Sequence, residues 1–149
     1  MIAENVKLSL QTLIAANVNA HSALSGIPVY LNGDTQTPTF PLIVFVDDNT
    51  AQIEQDGVIM RGVDSITMHA EIQSIPVDED QSGSTMETHR AIAKAVYQVL
   101  ADQRAVSFCS GLNGTTIFDI RASSPTMQEP DGRRVSTIQL TVIACPLTQ

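Results

Sequence analysis

A chain of 149 residues fits one domain by the usual size prior, and a domain of that size buries roughly 70% of its unfolded surface, enough for a core without disulfide staples. Hydrophobic residues make up 43% of it, yet aromatics are only 4% and tryptophan is absent, so the core is aliphatic and platforms for stacking single-stranded bases are scarce. With 16 acidic residues against 8 basic ones the formal charge is -8, which argues against a nucleic-acid reader built on clustered cations; such a surface repels phosphate and lets DNA pass.

Residues 3–20 read as a first helix, because Val6, Leu10, Leu13, Ile14 and Val18 recur at spacings of three and four. Ser25-Gly26 marks its exit. Ile27-Pro28-Val29-Tyr30-Leu31 then leads through a polar turn, with Gly33-Asp34 as turn chemistry, to Phe40-Pro41-Leu42-Ile43-Val44-Phe45-Val46. Proline is tolerated at the start of a strand, so Leu42–Val46 reads as a buried strand entered through a fixed kink and ending at Asp47-Asp48-Asn49.

Residues 47–62 read as a protruding acidic loop. Asp47, Asp48, Glu54 and Asp56 supply charge, Ile53, Val58, Ile59 and Met60 supply apolar surface, and Arg61 closes the segment. Its Asp56-Gly57 pair is a hairpin signal, so two weak strands are expected within it. Residues 63–75 alternate cleanly: Ile66, Met68, Ala70 and Ile72 on one face, Thr67, His69, Glu71 and Gln73 on the other, as in an antiparallel sheet with one dry face. Asp78-Glu79-Asp80-Gln81-Ser82-Gly83 is a solvated loop.

Ser84 followed by Glu87 is a capping-box pattern, and residues 85–102 form a second helix with His89, Ile92, Ala93, Val96, Val99 and Leu100 as its apolar stripe. Residues 116–123 and 133–145 are two more strands joined through Glu129-Pro130-Asp131-Gly132. Helices and strands do not alternate as parallel units. The order argues for a single α+β domain over residues 1–149, with a mainly antiparallel mixed sheet and two helices packed on one face.

The chemistry-bearing residues form no motif. His21, His69 and His89 lack metal-binding spacing, and there is no Cys-x-x-Cys, so no metal or other cofactor is expected. Asp47, Asp48 and Glu71 form the one carboxylate set that would gather magnesium at a strand end, the basis of an alternative reading as a small cytosolic metal-dependent enzyme; the plainer reading is a solvated turn. Cys109 and Cys145 read as reduced thiols, Cys109 buried rather than nucleophilic. No apolar run approaches a membrane span and no signal peptide is visible, so a soluble, cytosolically made protein is expected. The face of Thr137, Gln139 and Thr141 is uncharged and β-prone, and Lys7 and Lys94 are the only lysines available to guard an edge, so self-association into a closed ring is expected.

The chain resembles the tail terminator (tail completion) proteins of tailed bacteriophages. Four pieces carry the resemblance across most of the chain: the helix at 3–20, the segment IPVYLNGDTQTPTFPLIVFV, the strand SITMHAEIQS leading to METHRAIAKAVYQVL, and the closing hairpin TIFDIRASSPTMQEPDGRRVSTIQLTVIAC. The resemblance implies a non-enzymatic virion protein at the head–tail junction. Such a protein, made in the host cytoplasm, would form a ring, typically of six copies, on the head-proximal end of the tail tube, stop tube growth and dock the neck, while DNA passes through the lumen unbound. Its partners would be itself, the tail tube protein and the neck or head-completion connector. It brings no catalytic residues. Subunit contacts would come from the arm (Asp47, Asp48, Ile53, Glu54, Asp56, Val58, Met60, Arg61) and from the turn of Glu129, Arg133 and Arg134, with one arginine pairing to a neighbour's carboxylate. A head–tail connector or neck adaptor of related fold is the alternative within the same class, and a host-encoded binding module lies outside it.

Overall fold

The computed structural model describes residues 2–31, 38–55, 58–78 and 83–146, and of residues 54, 55, 58–61 and 131 the backbone only. Helix α1 spans Ile2–Ala16, strand β1 Val29–Leu31, β2 Leu42–Gln55, β3 Val58–Ser74, helix α2 Met86–Ala101, α3 Arg104–Cys109, β4 Thr115–Ala122, β5 Thr126–Gln128 and β6 Arg134–Pro146. The strands form one sheet in the order β1-β2-β3-β6-β4, with β5 also paired to β6. β1 runs parallel to β2 and every other pairing is antiparallel. The fold is α+β, with a mixed and mainly antiparallel sheet.

The expected alternation holds along β3 and β6. Ile66, Met68, Ala70 and Ile72 of β3, with Ile138, Leu140, Val142 and Ala144 of β6, are buried toward the helices. α1 contributes Val6, Leu10, Leu13 and Ile14 to that layer, and α2 contributes Ile92, Val96, Val99 and Leu100. Burying an aliphatic side chain of this size is worth about 1.5–3 kcal/mol, so this layer is the main stabilising term. Among the described residues no helix covers the opposite face of the sheet.

Several boundaries differ from the sequence reading, each for a local reason. α1 stops at Ala16, where Asn17 folds its side-chain amide back onto the Leu13 carbonyl, 2.8 Å away. The cap of α2 is Thr85, whose Oγ1 accepts from the Thr88 amide at 3.1 Å; Ser84 is buried one residue earlier, its amide donating to the Ile75 carbonyl. α3 is a third helix, too short to leave a periodic signal. β6 is not an exposed edge, because β3 flanks one side of it and β4 with β5 the other. The segment 47–62 is mostly strand: β2 continues from Val46 to Gln55 and pairs with β3 as far as Gln55↔Val58.

Candidate functional site

That continuation of β2 and β3 builds an arm. β3 leaves its partner β6 beyond the Asp64↔Ala144 pair, so Val58, Ile59 and Met60 pair only with β2. The arm has two irregularities. At its root the ladder shifts between Asp47 and Asn49, which makes Asp48 an extra residue in β2. Farther out it shifts between Gln52 and Ile53, opposite Gly62 at φ 80, a left-handed conformation that glycine adopts without a Cβ clash. A bulge of this kind bends a strand pair and re-aims what lies beyond it.

The root is tied to the helical layer by a buried cation. Lys7 sits within the apolar stripe of α1 and has no exposure, and its Nζ lies 2.6 Å from Asp47 Oδ1 and 2.6 Å from Glu4 Oε1. Asp47 pairs in register with the buried Met68, so it faces the helices. Burial opposes the charge on Lys7, but hydrogen bonds to Asp47 and Glu4 outweigh it and raise the ammonium pKa above 10.5. The hydrogen bond from Lys7 holds the Asp47 carboxyl below 3.8. Lys7, counted in the sequence only as a lysine that could guard a sheet edge, is instead buried on α1, and the signal for this was present: position 7 falls between Ala3, Leu10 and Ile14 at helical spacing.

On the open face a polar chain runs along the last part of β3, from His69 to Gln73. His69 Nδ1 lies 2.9 Å from Asp48 Oδ2, and its Nε2 lies 2.8 Å from Glu71 Oε2. Gln73 Nε2 donates to Glu71 Oε1 at 2.9 Å, and Arg133 Nη1 donates to Gln73 Oε1 at 3.1 Å. The chain therefore links the arm root to the turn before β6, two segments singled out separately in the sequence. Burial disfavours a charged His69 ring, yet the two carboxylate hydrogen bonds prevail and raise its pKa above 6.5.

The carboxylates proposed as magnesium ligands are thus divided: Asp47 faces inward to Lys7, and Asp48 and Glu71 share His69 on the opposite face. Among the described residues no group of three or more His, Cys, Asp or Glu side chains is placed to hold a metal ion. Cys109 is buried, its Sγ donates to the Ser9 carbonyl at 3.7 Å, and burial pushes its thiol up to about 11, which suppresses the thiolate. His89 is buried between two hydroxyls, with Nδ1 2.7 Å from Ser74 Oγ and Nε2 2.8 Å from Ser136 Oγ. Burial, then the charges of Arg134 and Arg90, lower its pKa below 6.5 and keep the ring neutral.

Of the sequence-derived interface residues, Asp48 is exposed at the arm root and Ile53 is half-buried farther out. Glu54, Val58, Met60 and Arg61 lie on the arm's backbone; Asp56 falls outside the described residues. Glu129 is exposed beside the turn Pro130–Gly132. Arg133 and Arg134 make their hydrogen bonds within the chain, Arg134 Nη1 donating to the Ser84 carbonyl at 2.7 Å.

No protein-family model matches the chain, and no curated protein sequence matches it. Among solved structures it is similar to a chain of the virion of a native gene transfer agent particle, at TM-score 0.70 and 9% identity, covering 97% of this chain and 98% of that one. At that identity the likeness is one of fold, and it spans nearly the whole of both chains.

Proposed function

We propose that the protein is a structural component of a phage-like virion, and within that class a tail terminator: a ring on the head-proximal end of the tail tube that stops tube growth and presents a docking surface to the neck. The observation that carries the reading is the near-complete fold match to a chain of a gene transfer agent virion. Other features support it. Buried polar side chains are committed to holding the fold, Lys7 to Asp47 at the arm root and His89 to two serines at the other end of the sheet, rather than to a substrate. A charge of -8 suits a lumen that must not retain DNA.

In this reading the arm is the element that contacts neighbouring subunits or the tube, and the turn around Glu129 and Arg133 is a second contact. The ring, the sixfold order typical of the resembled family, and the place at the head–tail junction follow from that resemblance. The test is immunogold labelling of purified particles. Label concentrated at the head–tail junction is expected, with the tail tube protein co-purifying. Label elsewhere on the particle would sink the terminator role, and co-purification of a portal-side connector without tube protein would favour a neck adaptor. Replacing residues 51–62 with a two-residue turn is expected to leave the fold intact and abolish tail joining.

A further inference from the structure

A groove of about 360 Å³ lies between α2 and β5, lined by Tyr97, Pro125 and Met127 with Arg90 and Lys94 at its rim and Ser136 at its floor. Met127 is one of the large apolar side chains left exposed. The rim cations are unusual in this chain. Lys7, Arg104 and Arg121 are each paired to a carboxylate, and Arg133 and Arg134 donate to neutral oxygens within the chain. Arg90 and Lys94, one helical turn apart, have no carboxylate partner among the described residues. In a protein with 16 acidic and 8 basic residues, an uncompensated basic rim beside the apolar walls of Tyr97, Pro125 and Met127 favours an acidic and apolar occupant.

The chain itself contains such a segment. The arm carries Ile53, Glu54, Val58, Ile59 and Met60. It cannot reach its own groove. β5 and Ser136 lie at the start of β6, whereas the arm extends past Ala144 near its end, and roughly 27 Å of extended strand separates the two positions on β6. The arm points away from the groove, so donor and acceptor sit at opposite ends of the sheet. A contact between them joins two copies head to tail, the arrangement that generates rings when the rotation closes.

We propose that the groove between α2 and β5 of one copy receives the acidic, apolar arm of a second copy. This rests on the ring-forming reading above and names the surface on which such a ring closes. The acidic sequence of the arm matches the rim formed by Arg90 and Lys94, and its apolar sequence matches the walls of Tyr97 and Met127.

The test uses the full chain with a benzophenone amino acid in place of Ile53, as an equal mixture of 14N- and 15N-labelled protein irradiated at high concentration. Mixed-label crosslinks from the arm to α2 or to residues 125–128 are expected. No mixed-label crosslink, or crosslinks confined to another surface, would overturn the proposal, as would attachment to a different polypeptide when the same variant is irradiated in particles. Arg90→Glu with Lys94→Glu, both exposed positions whose change leaves the melting curve in place, is expected to cut the crosslink yield about fivefold, as two rim ion pairs suggest. Adding Glu54→Lys is expected to recover part of it; no recovery would overturn the charge pairing. Virions lacking the protein would sink the virion assignment alone, because the solution crosslink judges the groove independently.

Discussion

Lys7 and Asp47 stand 40 positions apart in sequence and 2.6 Å apart in the fold, and their ion pair fastens the first helix to the root of the β2–β3 arm. The two partners are unequal. Lys7 is sealed in the core, whereas Asp47 keeps about a third of its side-chain exposure (34%) and can rehydrate.

Removing the carboxylate is therefore expected to hurt more than removing the ammonium. Asp47→Asn leaves a buried cation with only the exposed Glu4 and is expected to cost about 2–3 kcal/mol, whereas Lys7→Met costs about 1 kcal/mol, since methionine fills the stripe and Asp47 turns to water. Urea titrations of both variants check the order. The contribution of the pair is present above pH 3.8, lost as pH falls through the lowered Asp47 pKa, and lost again as pH rises through the raised Lys7 pKa.

His69 has the opposite pH signature to an acidic group. Its folded pKa lies above 6.5, so its stabilisation is complete below that pH and disappears as pH rises through the folded value. His69→Gln is expected to lose about 1 kcal/mol near pH 5.5 and much less near pH 8.5, discounted for the partial exposure of Asp48 and Glu71. Urea midpoints at the two pH values decide this, and a pH-independent difference would sink it.

His89 works in reverse. Its folded pKa lies below 6.5, so its contribution is present above that pH and is lost as acid charges the ring. His89→Leu strands the buried Ser74 and Ser136 hydroxyls and is expected to cost about 2–3 kcal/mol, much of it regained by adding Ser74→Ala and Ser136→Ala. Ring 15N shifts that report a neutral His89 and a charged His69 at pH 6.5 are the direct check.

The two thiols are expected to separate by reactivity. Cys145 is partly exposed and Cys109 is buried with its pKa pushed up to about 11, so a disulfide reagent at pH 8 is expected to modify Cys145 alone until the chain is denatured. Modification of both thiols in the native protein would contradict the burial of Cys109.

Periodicity by itself determined the two long helices, the alternating strands β3 and β6, and the sharing of one face by His69, Glu71 and Gln73, because side-chain direction along a helix or strand is fixed by local geometry. The acidic, apolar character of the arm was equally plain. Tertiary structure alone decided the rest. Nothing local tells that β6 lies inside the sheet, since strand order is settled by long-range pairing. Alternation along a strand sends Asp47 and Asp48 to opposite faces, but that β2 runs on past Val46, and that Lys7 and His69 wait on the two faces, is decided only by tertiary packing. The groove between α2 and β5 likewise exists only once β5 pairs with β6, because its walls come from segments that are separate in sequence and its charge is visible only where no carboxylate has arrived to cancel it.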